Sequence, residues 1–159
     1  MGREDDLINE YKLEMHPEGG WFSECFTAGE KRDGRALAGS IYYLMRGTEI
    51  SHFHQIDCDE VWYYHEGCGM RITVITSTSR DEYLLGSNIE NDETVMVAIP
   101  KGAIFAAENL SDDDYTFVSC MTTPKFTYDG FRLIRESELR AEYPNVPEEL
   151  YYLAYRDGE

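Results

Sequence analysis

Hydrophobic and polar residues alternate in short runs along most of the chain. The runs are rich in Tyr, Phe, Ile, Val and Thr, and clusters of Gly, Asp, Asn and Ser separate them. Alternation over about four to eight residues is typical of β-strands with one buried face. Many short strands at near-regular spacing favour a sandwich or a barrel. The pattern predicts strands near 21–27, 38–46, 50–54, 60–66, 69–77, 81–85, 94–99, 103–108, 115–122 and 130–135.

The two ends of the chain have a helical pattern instead. We expect Asp5 or Asp6 to cap a short N-terminal helix with an apolar face. Near the C-terminus, Ser137 is predicted to cap a turn of helix that Pro144 ends, and Pro147 to open a second short helix.

Length and composition agree with one folded β domain. The chain has 159 residues, of which 13% are aromatic, including 12 Tyr, so disorder is not expected although 28% are charged. Tyr and Phe favour strands. Because no repeat, linker or low-complexity stretch interrupts the pattern, residues 1–159 are predicted to form a single domain with a barrel core at about 18–135.

The charge balance narrows the classes of partner. Thirty-one acidic residues face 14 Lys and Arg, a formal net charge of −17. Such a surface repels nucleic-acid phosphates and anionic membranes, so neither is expected as a partner. The sequence has no apolar run of transmembrane length and no signal-peptide pattern at its start, so a cytoplasmic protein with free cysteines is expected.

A cluster of possible metal ligands follows the predicted strand at 50–54. Residues two apart on a strand share a face, so His52 and His54 are expected to point the same way, towards Glu60 on the next strand. Two imidazoles and one carboxylate with open positions suit Fe(II), Mn(II), Ni(II) or Zn(II). The cofactor prediction is therefore one divalent transition metal, with a metal-free polar cluster as the alternative.

The spacing of this cluster resembles the first motif of the cupin superfamily. The stretch is Gly47-x4-His52-x-His54-x5-Glu60-x6-Gly67. The second cupin motif is matched by Pro100 and Gly102 with Asn109, but Phe105 stands where the last metal-binding His would be. The resemblance implies a mostly β fold of the cupin type, a double-stranded β-helix or jelly-roll barrel with short N- and C-terminal helices, a ligand cavity and a homodimer.

The chain also resembles one small cupin family of unknown function (DUF985-like). Its opening motif is His16-Pro17-Glu18-Gly19-Gly20-Trp21-Phe22 followed by Glu24, and the likeness runs over about residues 7–144. Members of this family generally have Arg where this chain has Gln55. They resemble sugar epimerases and seed-storage barrels in fold and generally have no assigned reaction, so the resemblance leaves the function open.

Candidate site residues follow from the cluster and its neighbours. Glu60 is the first candidate for a catalytic base, which requires a pKa raised by burial, and His54 is the second. The residues predicted to contact a ligand have aromatic, amide or acidic side chains: Glu24, Tyr42, Gln55, Trp62, Tyr64, Phe105 and Asn109. His16 is expected to make a strand-crossing or dimer contact.

Three functions remain open for a small polar ligand in the barrel cavity. The first is an isomerase or epimerase acting on a sugar or sugar nucleotide, although no His–Asp dyad at the spacing of cupin epimerases is evident. The second is a metal-dependent dioxygenase or lyase using His52, His54 and Glu60. The third is a non-catalytic protein that binds a small molecule or carbohydrate.

Overall fold

The computed structural model describes residues 2–156. Helix α1 spans Arg3–Tyr11 and α2 spans Glu136–Glu142, with short 3-10 helices at Ile89–Asn91, Tyr128–Gly130 and Glu148–Leu153. The strands are β1 Glu14–Met15, β2 Trp21–Thr27, β3 Lys31–Arg32, β4 Arg35–Ala36, β5 Gly39–Arg46, β6 Ile50–Ile56, β7 Asp59–Gly67, β8 Met70–Ile75, β9 Arg80–Leu85, β10 Met96–Ile99, β11 Ile104–Asn109, β12 Tyr115–Thr123 and β13 Phe131–Leu133.

The strands form two large antiparallel sheets. The six-stranded sheet has the order β1-β2-β5-β12-β7-β10, and the five-stranded sheet has the order β13-β6-β11-β8-β9. Strands β3 and β4 form a separate hairpin. Apolar side chains of the two sheets meet in one buried cluster that includes Tyr43, Trp62, Phe105 and Val118. The predicted mostly β fold is confirmed.

All ten predicted strands are present, and their ends agree within two residues. The pattern missed β1, β3 and β4, which have two residues each and are too short to alternate. The predicted N-terminal cap was wrong by one turn. Helix α1 begins at Arg3, and Asp5 lies inside the first turn, where its carboxylate accepts the N–H of Gly2 at 3.3 Å.

The C-terminal elements were predicted in outline. Helix α2 ends before Pro144, and Pro147 precedes the second short helix, which has 3-10 geometry. Ser137 lies in the first turn of α2, because Arg135 occupies the cap position.

The helices cover the outer faces of the two sheets. The C-terminal helices bury Leu139 and Leu153 against Phe53 and Ile104 of the five-stranded sheet. Helix α1 buries Leu7 against Leu44 and Phe117 of the other sheet. No helix within residues 2–156 is long and apolar enough to cross a membrane.

Candidate functional site

A cavity of about 1020 Å³ lies between the two sheets at one end of the barrel. His54 lines it from β6 of the five-stranded sheet, and Glu60 lines it from β7 of the six-stranded sheet. His16 and Glu18, from the loop between β1 and β2, line it as well. The size is that of pockets that enclose a small-molecule ligand.

A β-bulge in β6 separates the two histidines that were expected to share a face. On β11, Phe105 pairs with His54 of β6. Two residues further along β11, Ala107 pairs with Ser51, which lies three residues before His54 on β6. The extra residue interrupts the alternation. His54 therefore lines the cavity, whereas His52 packs its ring 4.9 Å from that of Tyr155 and is not part of the cavity wall. The expectation of a shared face was wrong because alternation holds only in a regular strand.

The loop at 16–20 brings a buried carboxylate, Glu18, to the cavity. Gly19 has a φ of 110°, and a Cβ there would lie 1.9 Å from the carbonyl oxygen of Ile50, so the loop can approach β6 only with glycine at this position. The loop is held from two sides: the Tyr43 hydroxyl donates to the Gly19 carbonyl, and the backbone N–H of His52 donates to the Glu18 carbonyl at 2.9 Å.

Glu18 and His54 form a buried ion pair. Nε2 of His54 lies 2.7 Å from Oε2 of Glu18, and both side chains are less than one-tenth exposed. Nδ1 of His54 lies 2.7 Å from the carbonyl oxygen of His52, which can only accept a hydrogen bond, so Nδ1 carries a proton. Both ring nitrogens are therefore occupied.

The electrostatics of the pair favour its charged form. Burial disfavours the charge on each partner, but the two opposite charges and their hydrogen bond outweigh it. The pKa of His54 is raised above its ordinary value, and the pKa of Glu18 is lowered. The His54 imidazolium and the Glu18 carboxylate therefore neutralise each other at the inner wall of the cavity.

His16 presents a free donor to the cavity. Its Nδ1 accepts the backbone N–H of Glu18 at 3.1 Å, so a neutral ring carries its proton on Nε2. Burial lowers the pKa of His16 and outweighs the opposing effect of the Glu18 charge, so the ring stays neutral. The ring packs edge-on to Phe22 at 4.6 Å and Phe131 at 6.1 Å. Nε2 has no hydrogen-bond partner among residues 2–156.

Glu60 is a buried carboxyl group with one free oxygen. It is 9% exposed, and its Oε1 accepts the indole N–H of Trp62 at 2.6 Å. Burial, and then the charge of Glu18, raise the pKa of Glu60 to about 7, against the opposing effects of His54 and Trp62. Glu60 therefore gains and loses a proton near neutral pH.

Other residues predicted to contact a ligand lie at or behind the cavity wall. Glu24 lies at the rim, where its Oε1 is 2.9 Å from Nζ of Lys125. Trp62 is buried in the core and reaches the site through its hydrogen bond to Glu60. Phe105 packs under His54, with ring centroids 4.1 Å apart.

The remaining predicted contacts lie away from the cavity. Tyr42 packs on Tyr11 of helix α1, with ring centroids 4.7 Å apart. The side-chain amide of Gln55 donates to the carbonyl of Gly102, and the hydroxyl of Tyr64 donates to the carbonyl of Gly67, both at 2.7 Å. The fourth predicted contact residue, Asn109, is hydrogen-bonded at the end of β12 that lies away from the cavity. The structure does not bring these four side chains to the site.

The three predicted metal ligands do not converge. His52 is turned away by the bulge, both ring nitrogens of His54 are hydrogen-bonded, and one oxygen of Glu60 is bound to Trp62. Within the described part of the chain, no group of three His, Cys, Asp or Glu side chains is placed to hold a metal ion. The residues present therefore do not fit the predicted metal site.

Sequence reasoning missed the roles of His16 and Glu18. No His–Asp dyad at the spacing of cupin epimerases was expected, but sequence reasoning did not pair His54 with a glutamate 36 positions upstream, Glu18. One signal was available. The histidine and glutamate lie in a Pro- and Gly-rich loop directly before a strand, and such loops often carry binding or catalytic residues.

Comparisons with known proteins agree with this architecture. A protein from Shewanella oneidensis of known crystal structure is 34% identical, with a TM-score of 0.91 over 98% of this chain and 99% of that one. A hypothetical protein from Leishmania major is 28% identical, with a TM-score of 0.89 over 97% of this chain and 99% of that one.

A more distant structure shares the fold alone. Oxalate decarboxylase from Bacillus subtilis is 16% identical, with a TM-score of 0.59 over 94% of this chain and 39% of that one. No curated protein matches the chain. The family model described as "Cupin superfamily (DUF985)" matches residues 5–134. The jelly-roll prediction is thus confirmed, and the chain belongs to this family of cupins.

Proposed function

We propose that the protein is an isomerase that moves a proton next to the carbonyl group of a small sugar-like molecule. Glu60 acts as the base, and His16 donates a hydrogen bond to the carbonyl oxygen. One observation carries this proposal: the carboxyl group of Glu60 and the Nε2–H of His16 line the same cavity, and each has an atom left free by the surrounding residues.

The proton affinity of Glu60 suits this role. A general base works best when its pKa lies near the operating pH, since it must be both ionised and basic. Burial and the neighbouring Glu18 carboxylate raise the pKa of Glu60 to about 7. An exposed glutamate would be ionised at this pH but would be a much weaker base.

His16 suits the complementary role. A neutral imidazole that donates through one nitrogen can stabilise negative charge on a carbonyl oxygen without giving up its proton. The backbone N–H of Glu18 directs the proton of His16 to Nε2, and burial keeps the ring neutral. The Glu18–His54 ion pair holds this loop in place and leaves little net charge behind it.

The proton transfer needs no oxidant or cofactor. Glu60 takes the proton from the carbon beside the carbonyl, and the C–H electron pair forms an enolate whose oxygen accepts from His16. Return of the proton to the former carbonyl carbon, with transfer of the hydroxyl proton, interconverts an aldose and a ketose. Its return to the same face of the original carbon regenerates the substrate and, in deuterated water, leaves deuterium there. Glu60 is regenerated in both cases.

Solvent exchange tests this proposal. A panel of free aldoses and ketoses is incubated with the protein in deuterated water, and deuterium at the carbon beside the carbonyl is followed by NMR. We expect exchange that falls about 100-fold or more in Glu60→Gln and in His16→Phe. The matched control is Glu24→Gln, which should retain exchange. Glu24 is a carboxylate of the same cavity, and its side chain is more than half exposed.

Two results would contradict the proposal. Binding of a sugar without any exchange would favour the non-catalytic alternative. Exchange that requires added Fe(II), Ni(II), Mn(II) or Zn(II) and is lost in His52→Ala would favour the metal-dependent alternative. The predicted homodimer and cytoplasmic location stay predictions of the sequence.

A further inference from the structure

We propose that the molecule bound in this cavity carries an amino group and no phosphate, as an amino sugar does, so that it is not a sugar nucleotide. The inference rests on the proposed function, since it names the substrate class of the same site. Its basis is the distribution of charge around the cavity and the contacts that already occupy the basic side chains.

Carboxylates outnumber basic side chains around the cavity. Among the described residues, seven acidic side chains line it, against Lys31, Arg35, Lys125 and the His54 imidazolium, whose charge Glu18 neutralises. The formal net charge of the whole chain, cavity included, is −17. A phosphate that approaches this end of the barrel is repelled, whereas an ammonium group is attracted.

Of the three Lys and Arg side chains, two are already bound. The guanidinium of Arg35 donates through two nitrogens to Asp57, at 2.9 and 3.1 Å, and through Nε to the carbonyl of Lys125 at 2.7 Å. Nζ of Lys125 lies 2.9 Å from Glu24 and 3.0 Å from the hydroxyl of Thr27. Binding a phosphate here would require breaking these contacts, and Lys31 alone would be left to balance it.

The acidic groups that remain are free to meet a cation. Glu14, Asp33 and Asp129 line the outer part of the cavity and form no ion pair within residues 2–156. Deeper in, the second oxygen of Glu60 has no hydrogen-bond partner among the described residues, although this side chain is nine-tenths buried. As the proposed base it takes the proton from carbon, so the ammonium group is expected at the outer carboxylates. A buried carboxylate is stabilised by a nearby ammonium group and destabilised by a second anion.

Aromatic rings beside these carboxylates add to the preference. Phe22, Phe126 and Tyr128 line the same cavity, and the rings of Phe126 and Tyr128 pack edge to face at 5.1 Å. A ring face attracts an ammonium group and gains nothing from a phosphate. The walls therefore favour an apolar or cationic ligand over an anionic one.

Calorimetric titration with three related sugars tests the inference. The probes are D-glucosamine, D-glucose and D-glucose 6-phosphate, at neutral pH in low salt. We expect glucosamine to bind about tenfold more tightly than glucose, a difference of about 1.4 kcal/mol, and glucose 6-phosphate to bind most weakly. Added salt should reduce the preference for the amine, because it screens the exposed carboxylates.

Paired variants locate the effect. The double substitution D33N/D129N removes two carboxylates of the cavity wall and should reduce the preference for glucosamine over glucose about threefold. The control D112N/D113N makes the same change in net charge at the opposite end of β12 and should leave the preference unchanged.

Equal affinity for the three sugars, including failure of all three to bind, would overturn the inference, as would tighter binding of the phosphate. These outcomes are separate from those of the exchange experiment. Selective binding of glucosamine without deuterium exchange would support the ligand class and contradict the isomerase.

Discussion

Among the described residues, two buried polar clusters lie at opposite ends of β12, and they differ in charge and in how completely their groups are hydrogen-bonded. At the closed end, the amide nitrogen of Asn109 donates to the carbonyls of Met45 at 3.1 Å and Gly47 at 3.0 Å. Its amide oxygen lies 2.8 Å from the hydroxyl of Thr116, which is 2.9 Å from the carbonyl of Gly69. This cluster is neutral, and its side-chain groups are bound to the protein itself.

The cluster at the cavity end is charged and incompletely bound. Glu18 and His54 neutralise each other, but Glu60 keeps one free oxygen and His16 keeps a free Nε2–H. Buried polar groups are normally hydrogen-bonded, so free groups that face a cavity point to a ligand. The comparison therefore separates a cluster that stabilises the fold from the cluster that we propose binds and reacts.

The largest effect is expected from breaking the ion pair. Glu18→Ala leaves His54 buried without its counter-charge and should reduce the free energy of unfolding by about 3–5 kcal/mol. Urea denaturation at neutral pH measures this. The matched variant Glu14→Ala removes an exposed carboxylate of the same cavity and should change stability by less than about 0.5 kcal/mol. Equal losses would show that the ion pair contributes nothing particular.

A smaller loss is expected at the closed end. Asn109→Ala removes three hydrogen bonds and leaves buried partners unbound, which should cost about 2–3 kcal/mol. The pH dependence of deuterium exchange should stay that of the wild-type protein, because Asn109 does not line the cavity. A shifted pH profile in this variant would contradict the separation of the two clusters.

Removing the charge of Glu60 should increase the free energy of unfolding instead of reducing it. Its pKa is raised from 4.5 to about 7, so the wild-type protein loses stability as the pH rises from about 4.5 through about 7. Glu60→Gln does not ionise and should be more stable than wild type by about 3 kcal/mol near pH 8. The difference should largely disappear near pH 4. Melting temperatures across this pH range test it, and a constant difference would rule out titration of Glu60 as the cause.

The smallest effect is expected at the rim. Lys125→Met breaks the ion pair with Glu24 but should cost less than about 1 kcal/mol, because the Glu24 side chain is 61% exposed. Thermal unfolding of this variant measures the loss. A loss as large as that of Glu18→Ala would mean that the rim, and not the buried pair, holds this end of the barrel together.

The sequence alone determined the strands, because alternation and turn residues are local properties. The breaks that separate the ten predicted strands lie close to the observed ends of the strands. The prediction that Glu60 and Trp62 share a face also depended only on local information, since residues 60–64 alternate without interruption and the irregularity of β7 comes after Tyr64.

Only the tertiary structure decided which side chains meet. The bulge in β6 arises from its pairing with β11, so no pattern within 50–56 shows that His52 and His54 point in different directions. Glu18 reaches His54 because a glycine loop packs closely against β6, a contact across 36 positions. The sequence therefore determined where the strands run, while pairing between distant segments decided that the site is built from Glu60, His54, Glu18 and His16.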